Sequence, residues 1–171
     1  MRRALIVGVL LAGHLPPRVA VAQDVTVPAL KAAFIYNFVK FTEWPVVAPL
    51  SEPFAICVVG DAAVGDALGR LVGGREVAGR PIVTLTSTAR PTRTCGVLYV
   101  SGATVADAAR AIAGLQDSPV LTISDLPGFN DYGGMAQFFF AGGQLRFTIK
   151  ADAVKRSGLK MSSRLLTLGQ R

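Results

Sequence analysis

Seven aspartates from Asp61 onward (Asp61, Asp66, Asp107, Asp117, Asp125, Asp131 and Asp152) are the side chains best suited to acid–base work. Two carboxylates converging in one cleft would supply a general acid and a general base. No spacing among these seven sets two side by side by motif. Asp61 and Asp125 each follow an apolar run that reads as a strand, the place where α/β proteins carry their sites. Asp125 is the stronger candidate, with the alternative that an aspartate before Leu126-Pro127-Gly128 simply initiates a turn. The single histidine, His14, falls in a segment expected to be removed. Ser-His-Asp and Cys-His catalysis in their usual forms are therefore excluded, together with the commonest ligand for zinc and copper. Gly60 and Gly65 form no phosphate-cradling fingerprint. These residues call for no enzyme chemistry, no metal and no cofactor.

The cysteines point to a compartment. Arg2 and Arg3 precede an apolar run of ten residues, Ala4 to Gly13; Pro16 and Pro17 break it, and Ala20-Val21-Ala22 makes a small-x-small cleavage site. That is the three-part build of a secretory signal peptide, residues 1–22, and its apolar run is too short to span a membrane. The expected product, residues 23–171, suits one domain with a real core. An exported protein meets an oxidising space, so Cys57 and Cys95, the only two cysteines, are expected to bridge. Two buried thiols in adjacent strands are the alternative. Loss of Arg2, Arg3 and Arg18 with the signal lowers the formal charge from +7 to +4, which with export argues against nucleic acid. The remaining excess is local: from Arg146 onward seven basic residues, Arg164 among them, face one acid, Asp152. An acidic partner or an anionic surface would suit such a run, and so would the solvated face of a helix.

The elements that must position these groups follow from periodicity. Leu30, Phe34, Phe38 and Phe41 recur at one-face spacing within a helix predicted over 27–42, with Ile35 and Val39 widening the face and Lys31, Asn37 and Lys40 on the polar side. Phe54–Gly60, Pro81–Thr86, Gly96–Ser101 and Val120–Ser124 read as strands, and Val64–Leu71 and Val105–Leu115 as helices between them. Met135–Phe140 and Gln144–Lys150, joined across Ala141-Gly142-Gly143, read as a hairpin with one wet face. A helix over 151–157 stops at Gly158, and Leu159–Leu168 fits strand or helix equally. The whole predicts a three-layer α/β domain: a mixed, mostly parallel sheet, helices on both faces, and a C-terminal hairpin. Only eight residues, Ser87 to Thr94, join the second and third strands, so that pair is either antiparallel or linked by an unusual crossover.

Two segments carry more aromatic or turn-forming residues than a core requires. The loop from Ser124 to Gly134 holds Phe129 and Tyr132 and ends in Gly133-Gly134, which suits a recognition loop or a loop folded back over the sheet edge. The first helix concentrates five aromatics in 11 residues; Tyr36 and Trp44 lie off its apolar face and offer a contact to another chain. The tentative contact residues are thus Tyr36, Trp44, Asp125, Phe129, Tyr132, Gly133, Gly134 and Arg164.

Leu30 to Pro45 (LKAAFIYNFVKFTEWP) resembles the opening signature of the YfiR-like family of bacterial periplasmic proteins. Cys57-Val58-Val59-Gly60-Asp61, Gly79-Arg80-Pro81-Ile82, the run Thr122 to Phe129, Gly133-Gly134-Met135, the run Leu145 to Ile149 and the run Ser157 to Leu166 are similar to its later blocks, in order. The resemblance implies a periplasmic regulator that inhibits an inner-membrane diguanylate cyclase, and so cyclic-di-GMP and biofilm signalling, by binding that enzyme's periplasmic part or another membrane sensor. It also implies sequestration by an outer-membrane lipoprotein, and a homodimer is expected. It places Cys57 and Cys95 where the family's first disulfide would lie; the second pair of some members is absent here. The rival expectation from another class is a periplasmic small-molecule binding module feeding a sensor kinase or transporter, with its site near Asp125 to Gly134. A carboxylate-based hydrolase is a third.

Overall fold

A computed structural model describes residues 25–45, 51–87 and 94–169. The expected signal peptide lies outside the described residues.

The first helix, α1 (Val27–Lys40), starts where Thr26 accepts a hydrogen bond from the Ala29 backbone amide, with Pro28 in its first turn. It buries Ala32, Ile35, Phe38 and Val39. It ends two residues sooner than predicted, and Phe41, expected on the buried face, is 40% exposed as its C-cap. The chain then enters β1 (Thr42–Glu43) and, after the undescribed residues 46–50, β2 (Phe54–Val59). There follow α2 (Ala62–Val72), β3 (Glu76–Val77), β4 (Arg80–Ser87), β5 (Cys95–Val100), α3 (Val105–Ala113) and β6 (Leu121–Ser124). A 3-10 turn spans Phe129–Tyr132 and leads to β7 (Ala136–Ala141) and β8 (Gln144–Ile149). The end of the chain is α4 (Ala151–Arg156), β9 (Lys160–Met161) and α5 (Ser163–Leu168). The ambiguous last segment is thus both things, a two-residue strand and then a short helix capped by Ser162.

Seven strands form one sheet in the order β3-β4-β2-β5-β6-β7-β8. The five from β4 to β7 run parallel, while β3 and β8 join the edges antiparallel. β4 and β5 both lie parallel to β2, on opposite sides of it, so the short link between them is a parallel crossover. β1 and β9 pair separately.

Both faces of the sheet are covered, as near-continuous apolar strands require. On one face α1 and α2 pack on Ile56, Val58, Val97, Tyr99, Leu121 and Ile123, with Val154 of α4 and Leu165 of α5 in the same core. Phe34 and Phe38 of α1 each meet Phe138 and Phe147 edge-on, with ring centroids 5.0–6.0 Å apart. On the other face Ala108 and Ile112 of α3, with Phe129, cover Ala55, Cys57, Leu98 and Val100. The domain has the expected α/β build with its layers in the expected places.

Candidate functional site

α2 follows β2 on one face and α3 follows β5 on the other. The connections leaving these two neighbouring strands therefore diverge, which in an open α/β sheet opens a crevice at their carboxyl ends. Here that crevice is narrowed. Gly60 and Gly102 touch through their backbones: a Cβ on Gly60 would stand 1.9 Å from the Ser101 carbonyl oxygen, and one on Gly102 would stand 2.5 Å from that of Gly60. Both glycines have positive φ, so the approach needs residues without side chains.

An ion cluster occupies what remains. Lys31 comes down from α1 and places its Nζ 2.5 Å from Oδ2 of Asp125 and 3.7 Å from Oδ2 of Asp61. The Lys31 side chain is only 12% exposed. The other oxygen of Asp61 accepts the Val64 amide and caps α2. Ser124 donates to the Val100 carbonyl at 2.7 Å and accepts from Leu126, which fixes the chain as it turns into Asp125. Burial raises the cost of the Asp125 charge, but hydrogen bonds from Lys31 and Ser101 and the ammonium charge outweigh it and hold the carboxyl below its ordinary pKa. At the floor lies the Tyr99 phenol, its oxygen buried beside Asp125 and Ser101. Burial, and after it the charge of Asp125, push its pKa up. Two carboxylates do converge, as a hydrolase needs, but they converge on a lysine ammonium, and Asp61 is committed to a helix cap as well. The cluster binds the strand ends to α1. A smaller depression of about 330 Å³ opens onto it, lined by Lys31 and Asp125 themselves together with Pro127 and Gln137.

The larger opening lies at the other end of α1. A groove of about 550 Å³ runs between α1, β8 and α5. Phe34, Phe38 and Phe41 line it from α1 and its cap, Leu145 and Phe147 from β8, and Leu165 and Leu168 from α5. Phe41 and the half-exposed Leu168 leave apolar surface open to water on its walls. Lys40, Arg146 and Arg164 line it too, and no acidic residue does. Among the described residues none of these three cations has a carboxylate within ion-pair distance.

The residues expected at a contact do not assemble into one surface. Asp125 sits in the ion cluster and Arg164 in the groove. Trp44, expected to be exposed, is half-buried: its indole N–H donates to the Gly96 carbonyl at 3.0 Å and its ring packs edge-on to Phe54. Tyr36 is half-buried with the Arg75 guanidinium 5.2 Å and the Lys40 ammonium 5.7 Å from its ring centre. Phe129, expected on a recognition loop, is fully buried against α3. Gly134 makes room for it, since a Cβ there would stand 2.2 Å from that ring. Gly133 turns the chain at φ +96°, and Tyr132 alone of the loop aromatics is exposed. Lys31 was placed on the polar side of α1, yet its spacing of four and seven from Ile35 and Phe38 puts it on the buried face. That spacing was the available signal. Among the described residues no group of three or more His, Cys, Asp or Glu is placed to hold a metal ion.

Cys57 and Cys95 form a disulfide, Cα to Cα 5.8 Å, between β2 and β5. No match is found among curated proteins. A model of the YfiR/HmsC-like family (DUF4154) matches residues 28–170, from the second residue of α1 to past the end of α5. On that match, the chain belongs to the YfiR/HmsC-like family.

Proposed function

We propose that this protein is a periplasmic regulator that restrains an inner-membrane diguanylate cyclase by direct contact, and so holds down cyclic-di-GMP and biofilm formation. Family membership carries the reading. The signal-like residues 1–22 and the cross-strand disulfide fit an exported protein in an oxidising space. The usual ligand crevice of an α/β sheet is narrowed by Gly60, Gly102 and the Lys31 cluster to a small polar depression, while the larger apolar opening lies in the groove. That distribution favours docking over turnover. Inhibition is then a two-state equilibrium: bound to the cyclase, or drawn away by a second partner such as an outer-membrane lipoprotein.

The test is deletion of the gene and measurement of cyclic-di-GMP. A rise that the full chain reverses, and that a chain without residues 1–22 does not, is the expected result. Unchanged cyclic-di-GMP across growth conditions overturns the reading.

A further inference from the structure

We infer that the groove between α1, β8 and α5 receives an extended, acidic segment of another protein, which adds as a strand to the free edge of β8. The inference rests on the regulator reading and names the chemistry of the partner. β8 is the last strand of the sheet and pairs only with β7 among the described residues. Alternate residues of Gln144–Ile149 therefore turn their backbone N–H and C=O groups away from the sheet. The groove borders that same edge, because Leu145 and Phe147 line it. A strand laid along β8 would point every second side chain toward the α1 face, where Phe41 and Leu168 leave apolar surface uncovered.

Charge selects the occupant. Lys40 and Arg164 reach the groove from two helices, Arg146 stands on the edge strand itself, and no acid lines the groove. A second copy joined edge to edge would set Arg146 against the same basic edge of its twin, a like-charge pairing that opposes assembly. Acidic side chains flanking apolar anchors meet both features, the cations and the apolar floor. A small apolar ligand would leave the backbone edge unmet.

The test uses the chain from residue 23 onward and synthetic ten-residue peptides in which every second residue, the row facing α1, runs glutamate-phenylalanine-valine-phenylalanine-glutamate with threonine between, so that acids and apolar anchors share the face of Lys40 and Arg164. Fluorescence anisotropy measures binding. Methylation of alternate peptide amides in one register should weaken binding by about tenfold, and in the other register leave it unchanged, since an edge strand uses one row of donors. Leu168→Glu and Arg164→Glu should each weaken binding by about tenfold, and Lys155→Glu, on α4, should not. Leu168 and Arg164 are exposed, so folding is preserved, and thermal melts check it. No binding by any acidic peptide, equal binding of lysine peptides, or indifference to methylation overturns the inference. So does a dimer that Leu168→Glu dissociates, which gives the edge to a second copy, or binding to phosphatidylglycerol vesicles that Arg164→Glu abolishes while peptides stay unbound. The two readings fail separately. If gene deletion raises cyclic-di-GMP and both groove variants restore it fully, the docking inference falls alone. If deletion changes nothing while peptides bind at β8, the regulator reading falls alone.

Discussion

Asp125 and Lys31 each make sense only through the other. A carboxylate and an ammonium withdrawn from water are held by their mutual contact, and removing one strands its partner. Asp125→Asn should cost about 1–3 kcal/mol in urea unfolding at neutral pH, because a mostly buried lysine then loses its closest counter-charge. The double substitution Lys31→Met, Asp125→Asn should cost less than Asp125→Asn alone, since no uncompensated ammonium remains. The carboxyl titrates below its unfolded value, so its contribution is complete above an unfolded pKa of about 3.9 and is lost as the pH falls through the folded value. Unfolding series from pH 7 down to pH 2 should show an acid loss in the native chain that is smaller in Asp125→Asn. Asp125 was legible in the sequence, because a carboxylate after an apolar strand is conspicuous. Lys31 was legible only in its burial, through its spacing from Ile35 and Phe38; its partners follow β2 and β6, and local pattern says nothing of distant counter-ions. Phe129 misled for a similar reason, since a loop aromatic shows its burial only once α3 lies over it.

At the scale of elements, the disulfide ties β2 to β5 beneath α3. Replacing both cysteines by alanine should lower stability by about 2–4 kcal/mol, read from thermal or urea unfolding with matched reducing and oxidising samples. The long helices and apolar strands were legible because each carries its own period, and Gly142-Gly143 marks the β7–β8 hairpin turn; Asp61, a site candidate by its place after a strand, instead caps α2, which begins two residues before the predicted start. β1, β3 and β9 were not. Each is two residues long and exists only because another strand lies beside it. The direction of β4 relative to β5 was equally out of reach, since β2 between them decides it. The groove escaped prediction because its walls come from three elements far apart in the chain, although the basic run that reaches it was visible.

Over the whole molecule, the open surfaces differ in character from the closed ones. The basic balance of the last segment implies that association with an acidic partner is driven in part by charge. Affinity for the glutamate peptides should therefore fall as salt rises past physiological strength, where the screening length is about 8 Å, with most of the loss in the association rate. Stopped-flow measurements at several salt concentrations would show it; an association rate indifferent to salt would remove charge from the account.

The pairing of β1 with β9, Thr42 opposite Met161, joins the exit of the first helix to nearly the last residues of the domain. Phe34 and Phe38 likewise wait for Phe147. A chain emerging amino end first from a ribosome or a translocation pore thus has its opening helix in hand long before the surface that will cover it exists. These closing contacts span most of the described polypeptide, and contacts of such long sequence separation favour slower folding. On the proposed export through a membrane, such late closure would keep the passage open.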